Sequence, residues 1–198
     1  MKLSSISLLL LALVLSIPAC ASDIMRSKGP GDKVEEFTLK GTDGNTYDLS
    51  DALKNSDYVV VMFWSTECPW VQPYTERVNS MAGDYSSRGI SFWGVNANST
   101  ESFDEVKSHA GGKGYVFPML KDDNNVVADM LGATRTPEVY VIDKNRVIMY
   151  HGSIDDNRDA SKVSSSHLKN ALDEILNGKD VSVKNTKFFG CTIKRAEK

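Results

Sequence analysis

Residues 58–78, YVVVMFWSTECPWVQPYTERV, restrict the possible folds of this chain more than any other stretch. The run 58–64 is apolar without a break, rich in β-branched and aromatic residues, and far too short to cross a bilayer. It therefore reads as a strand buried on both faces of a sheet. A helical pattern follows almost at once, with Ser65, Thr66, Glu67, Cys68 and Pro69 between the two. One cysteine thus sits where a central strand gives way to a helix. A helix N-terminus presents unpaired N–H groups and partial positive charge, which favour an anion and lower a thiol pKa. Pro69 suits a first helical turn, because its missing N–H would lack an intrahelical partner there. Pro73 removes the bond back to residue 69 and predicts a kink or a later start to the regular helix. Cys68 is accordingly the candidate nucleophile, the competing role being that of a small apolar core residue.

The start of the chain sets an expected compartment. Residues 1–21 carry one cation, Lys2, then an apolar run over 6–17, then Ala19-Cys20-Ala21, the layout of a secretory signal. Ala19-x-Ala21 fits ordinary signal cleavage, whereas Ile17-Pro18-Ala19-Cys20 resembles a bacterial lipobox that would lipidate Cys20; an uncleaved anchor is the third reading. The protein is expected to be exported, to the periplasm, cell envelope or exterior, with a membrane link only through Cys20. Residues 22–32, with Gly29, Pro30 and Gly31, read as a linker. The stretch 33–178 is long enough for one domain with a sizeable core, and 179–198 reads as an extension of it. The formal charge of −3 and the absence of a basic run argue against nucleic-acid binding. With Cys20 removed or lipidated, Cys68 and Cys191 remain as a candidate pair in an oxidising compartment.

The elements alternate in the manner of an α/β domain. Residues 36–39 and 46–49 flank Asp43-Gly44 as a hairpin, and Ser50 caps a short helix over 51–54. Beyond the Cys68 helix, 90–95 reads as a second buried strand. Ser99 or Thr100 caps a helix over 101–109, broken at 111–114. A short helix at 126–131 stops at Gly132, and 136–143 and 146–150 form a second hairpin about Lys144-Asn145. Leu168, Ala171, Leu172, Ile175 and Leu176 recur at helical spacing, with Asn177-Gly178 as the stop.

This order, with Cys68-Pro69-Trp70, Thr136-Pro137-Glu138, Gly152-Ser153-Ile154-Asp155-Asp156-Asn157 and Gly190-Cys191-Thr192-Ile193-Lys194, resembles the thioredoxin superfamily. Within it the chain is similar to a peroxiredoxin-like family of the redoxin (AhpC/TSA) branch. The resemblance implies a thioredoxin-like fold: a central mixed sheet flanked by helices, with an N-terminal hairpin and a C-terminal extension. It also implies thiol chemistry with no cofactor. Read from the residues alone, Thr136-Pro137 starts a strand in trans; by the resemblance it is a cis-proline loop lying against the active cysteine. Thr136, Pro137, Pro69 and Trp70 then become substrate-binding candidates.

Departures from better-known relatives shape the expected mechanism. The second cysteine of C-x-x-C is replaced by Val71, so no local dithiol exists, and Ser65 and Val61 occupy the Thr and Pro places of a peroxidatic loop counted from Cys68. Gln72 stands where copper-chaperone relatives carry their second cysteine, so no metal site is expected. Read from the residues alone, Cys191 is equally a spare thiol in the tail; the G-C-T-I-K match makes it a candidate resolving partner, its tail docking through Phe188, Phe189 and Ile193, provided the two Cα atoms come within about 7 Å. Arg135 precedes Thr136-Pro137 and either faces the thiolate or is an ordinary surface residue, and Trp64 and Trp70 either shield the cysteine or simply pack in the core. His109, His151 and His167 read as structural or solvent-facing, and 155–157 as a polar turn. The expected function is an exported thiol-disulfide oxidoreductase with Cys68 as nucleophile, acting on an external thiol, a disulfide protein or a peroxide. The alternatives are a one-cysteine peroxidase and a catalytically silent envelope lipoprotein that binds a partner.

Overall fold

In the computed structural model, which describes residues 27–197, the run after residue 57 is the centre of a mixed sheet. The signal segment 1–21 and Cys20 lie outside the described residues. The elements are β1 (Thr38–Gly41), β2 (Thr46–Asp48), α1 (Leu49–Asn55), β3 (Tyr58–Phe63), α2 (Thr75–Ser86), β4 (Ile90–Asn96) and α3 (Phe103–Lys113). There follow β5 (Met119–Lys121), α4 (Val126–Leu131), β6 (Arg135–Thr136), β7 (Glu138–Asp143), β8 (Ile148–Gly152), α5 (His167–Leu176) and β9 (Cys191–Thr192). Seven strands lie in the order β2-β1-β5-β4-β3-β7-β8. β3 is parallel to β4 and antiparallel to β7, β4 is parallel to β5, and antiparallel hairpins close both ends. β6 and β9 form a separate two-stranded ribbon. This is the thioredoxin-like α/β architecture.

The period-2 alternation of β3 sends its side chains into two cores. Val60 and Met62, continued by Trp64, pack with Val78, Ala82 and Tyr85 of α2 and Leu168, Leu172 and Ile175 of α5. Val59, Val61 and Phe63 pack with Leu49 and Leu53 of α1 and Val127 and Leu131 of α4. Helices therefore cover both faces, and the strand must be apolar throughout.

Two helices show how different forces define an element. α5 has no side-chain N-cap, yet it buries Leu168, Ala171, Leu172 and Ile175. Each fully buried Leu or Ile is worth about 1.5–3 kcal/mol against about 1 kcal/mol for a cap, so packing sets this helix. α3 buries only Val106 and instead carries a complete capping box, Ser102 with Glu105.

Several local expectations are corrected. The helix after Cys68 begins at Thr75, behind a 3-10 turn at Gln72–Tyr74, so Cys68 stands in a turn and not at the helix N-terminus. Pro73 is the reason: without an N–H it cannot extend a regular helix back toward residue 69, and Val71 and Tyr74 donate instead to the Cys68 and Val71 carbonyls. α1 is capped by Asp48, which accepts from the Asp51 N–H, while Ser50 binds Glu36. α3 is capped by Ser102 in place of Ser99 or Thr100, and runs through Gly111 and Gly112 to Gly114 at φ 62°. Lys28 and Gly31, in the segment read as linker, bond to the Leu131 and Ile148 carbonyls.

Candidate active site

The loop that carries Cys68 hangs from the end of β3, and a buried carboxylate holds it. Glu101, 1% exposed, accepts from Ser65 Oγ at 2.6 Å, the Thr66 backbone N–H at 2.8 Å, Thr66 Oγ1 at 2.5 Å and Asn96 Nδ2 at 2.7 Å, as well as from Asn98. Burial alone would push Glu101 upward, but these hydrogen bonds outweigh it and hold the carboxyl below its ordinary pKa. The Asn96 side-chain oxygen and the Asn98 backbone carbonyl in turn accept from the buried Lys121 ammonium, which desolvation holds below its usual pKa against the pull of neighbouring carboxylates.

Opposite this loop, the Thr136-Pro137 peptide is cis, and the Thr136 carbonyl oxygen lies 3.3 Å from the Cys68 sulfur. In the reduced protein the thiol can donate to that oxygen. Glu138, fully buried, fixes the approach to this peptide. One oxygen accepts from the Thr134 and Arg135 N–H groups at 2.8 and 3.0 Å; the other bonds Tyr140 Oη at 2.7 Å and His151 Nε2 at 2.9 Å. The His151 ring stacks on Tyr140 with centroids 4.2 Å apart.

The C-terminal tail returns across the molecule to complete the site. Cys191 is disulfide-bonded to Cys68, Cα to Cα 6.0 Å, across a sequence separation of 123. β9 pairs antiparallel with β6, setting Cys191 opposite Thr136 and Thr192 opposite Arg135. Upstream, the His151 and Thr186 amides bond the Lys184 and His151 carbonyls, and Phe188 packs on the His151 ring. Downstream, Ile193 is buried and donates to the Thr134 carbonyl, and the Lys194 N–H donates to Asn98 Oδ1 at 2.8 Å. Gly190 passes so close to Thr136 that a Cβ would sit 2.6 Å from its carbonyl carbon. Only glycine fits this crossing.

The sequence-derived candidates divide accordingly. Cys68 (2% exposed), Thr136, Pro137 and Cys191 come together at one point. Trp64 is buried and donates to Tyr115 Oη, but Trp70 is 37% exposed and carries the Arg158 guanidinium over its ring at 4.5 Å. Pro69, next to it, is exposed. Arg135 does not face the sulfur: its guanidinium donates to the Gly190 carbonyl at 3.1 Å, because antiparallel pairing with the tail puts that carbonyl beside it. Phe189 does not dock, being 67% exposed. His109 and His167 bond Tyr115 and Ser153, and Asp155 pairs with Arg77. Sequence reasoning gives Glu101 and Glu138 no role at the site. The signal that marks them is weak: a lone acid before a capping serine, and an acid inside an apolar strand.

A buried cysteine at the end of a central strand, cross-linked beside a cis-proline peptide, defines a thioredoxin-fold oxidoreductase acting on thiol/disulfide or peroxide groups. The chain belongs to the AhpC/TSA family, whose model matches residues 30–151. The crystal structure of a hypothetical protein SMc02350 from Sinorhizobium meliloti superposes with a TM-score of 0.80 at 33% identity, covering 87% of this chain and 98% of that one. A Mycobacterium tuberculosis protein named provisionally as a peroxiredoxin is 25% identical over 111 residues, 56% of this chain and 68% of its own. The thiol-disulfide oxidoreductase ResA of Geobacillus thermodenitrificans is 26% identical over 115 residues, 58% of this chain and 64% of its own.

Proposed function

We propose that this protein is an exported thiol-disulfide oxidoreductase in which Cys68 is the nucleophile and Cys191 the resolving thiol. The observation that carries the reading is the Cys68–Cys191 disulfide beside the cis Thr136-Pro137 peptide. In the reduced protein the Cys68 thiolate attacks one sulfur of a substrate disulfide. The S–S bond breaks, a mixed disulfide forms, and the departing substrate thiolate takes up a proton. Cys191, as thiolate, then attacks the Cys68 sulfur and expels the second substrate thiol. Two electrons pass to the substrate, and the protein disulfide must be reduced by an external dithiol before the next cycle. Thr136 and Pro137 offer backbone against which the incoming chain is aligned, with Pro69 and Trp70 at the rim. Since Cys68 is 2% exposed in the disulfide form, the tail near Cys191 must lift for each cycle. Export rests on the pattern of residues 1–21, with Cys20 the residue that lipidation would modify.

The same pair also allows a peroxidase cycle, in which peroxide oxidises Cys68 to a sulfenic acid that Cys191 condenses upon, releasing water. Exchange is favoured because the Arg135 guanidinium is engaged by the Gly190 carbonyl and not by the sulfur. The test uses reduced protein with hydroxyethyl disulfide and, separately, hydrogen peroxide. Cys191→Ser should accumulate a mixed disulfide at Cys68 with the first reagent, seen by mass spectrometry. Consumption of peroxide alone would move the assignment to peroxidase. A Cys68 inert to both reagents and to alkylation at neutral pH would leave a silent binding protein.

A further inference from the structure

A groove of about 530 Å³ opens between the Cys68 turn and the returning tail, lined by Trp70, Arg135, Lys187, Phe188, Phe189 and Gly190. Trp70 and Phe189 are two of the large apolar side chains left exposed by the fold, at 37% and 67%. They belong to the strands of chain on either side of the disulfide, Trp70 shortly after Cys68 and Phe189 shortly before Cys191. Among the described residues, no carboxylate is in the lining. Among the described residues, neither Arg135 nor Lys187 is paired with an acid. A third cation, the Arg158 guanidinium, lies over the Trp70 ring. The acids nearest Arg158 in sequence are already engaged: Asp156 binds Ser164, and Asp159 pairs with Lys162 at 3.3 Å. In this groove, then, a chain of net charge −3 presents aromatic faces and cations without an acidic partner, while Glu67, exposed next to Cys68, stands outside the lining.

We propose that this groove is the docking site for the redox partner, and that its occupant is an extended polypeptide segment bearing an apolar or aromatic residue and acidic residues close to its cysteine. The proposal rests on the exchange mechanism and adds the substrate class. An aromatic side chain on the partner would stack between Trp70 and Phe189, removing apolar surface from water, while carboxylates meet Arg135 and Lys187. A flanking anion also steers the encounter and selects against basic segments, because complementary charge at a rim acts on association and specificity. Arg135 ties the two parts together. Its donor to Gly190 holds the tail, so a carboxylate competing for the guanidinium would loosen the tail where Cys191 must move.

The test separates docking from chemistry. Fluorescein-labelled peptides of matched length, carrying one Trp and either Glu or Lys neighbours, with Ser in place of Cys, are titrated against the wild-type protein and followed by anisotropy. The acidic peptide should bind roughly tenfold more tightly than the basic one, as expected for two or three rim charges each worth up to about a factor of five. That preference should shrink in high salt and collapse to about one in the doubly substituted Arg135→Glu, Lys187→Glu protein. Trp70→Ala should weaken both peptides. Equal binding of the acidic and basic peptides by the wild type, or a preference that survives the double substitution, overturns the proposal. The redox reading is judged separately on the corresponding Cys-containing peptide disulfides. If the acidic Ser peptide binds selectively and its disulfide counterpart is never reduced, the groove stands and the exchange mechanism falls.

Discussion

At the residue scale, Cys68 joins two roles that sequence patterns treat as alternatives. It belongs to the core cluster with Trp64, Val71 and Tyr74, and it is also the sulfur that bonds Cys191. Cys68→Ser is therefore expected to end turnover and also to cost stability in oxidised protein, since the cross-link is lost and a hydroxyl is buried. Comparing melting temperatures of Cys68→Ser and Cys191→Ser isolates the second effect. Both lose the disulfide, and Cys68→Ser should melt lower by the equivalent of about 1–2 kcal/mol. Equal melting would mean that the hydroxyl finds a partner, the Thr136 carbonyl being the nearest. Gly190 is the second decisive residue. Gly190→Ala drives a methyl group into the Thr136 carbonyl and must push the tail away. Slower reoxidation of reduced protein, with Cys191 alkylated faster than in the wild type, is the expected outcome, measured by quenched alkylation and mass spectrometry.

At the scale of elements, one carboxylate connects segments that share no strand pairing. Glu101 holds the Ser65-Thr66 turn ahead of Cys68, and also Asn98, whose side-chain oxygen accepts from Lys194 in the tail. Both cysteine-bearing segments are thus referenced to the loop between β4 and α3. Because Glu101 has its pKa lowered in the folded protein, its contribution to stability is fully present above the ordinary glutamate pKa. It is lost as pH falls through the depressed folded value. Urea titrations at pH 7 and at successively lower pH in the acid range should show stability falling. Glu101→Gln should be destabilised at pH 7 and show a weaker acid dependence. An unchanged acid slope in that variant would place the titration elsewhere. α5 supplies the contrast, since its position depends on packing and should be insensitive to this titration.

At the scale of the molecule, the disulfide closes a loop spanning most of the domain, with a separation of 123 residues. Cross-links of that kind are worth about 2–4 kcal/mol, mainly by restricting the unfolded chain. Dithiothreitol should accordingly lower the melting temperature of the wild type by roughly 5–15 °C and leave Cys191→Ser unchanged. The tail need not leave entirely on reduction. In the disulfide form Lys184 and Thr186 upstream and Ile193, Lys194 and Ala196 downstream bond to the body through their backbone, at points that do not involve the sulfurs, and these bonds are expected to hold on reduction. Movement is expected in residues 187–190, and hydrogen exchange should rise there on reduction while 193–196 stay protected. Uniform loss of protection along the tail would instead describe release of the whole segment.

What the residues alone determined is what depends on near neighbours in the chain. The unbroken apolar run of β3 required burial on two faces, the spacing of Leu168, Ala171, Leu172 and Ile175 required a helix, and Asp43-Gly44 required a turn between two strands. Each follows from periodicity or from a backbone preference over a few residues. Pro73 already announced that the helix after Cys68 would be irregular, and folding resolved this as a late start at Thr75. Tertiary structure decided which capping serine starts α3, where Arg135 reaches, and how the tail sets Cys191 against Cys68. It also decided that Glu101 and Glu138, ordinary acids in the sequence, are buried at the base of the site. A buried carboxylate has no local signature, because what stabilises it there are donors brought from distant segments: Ser65 and Thr66 for Glu101, and His151 for Glu138.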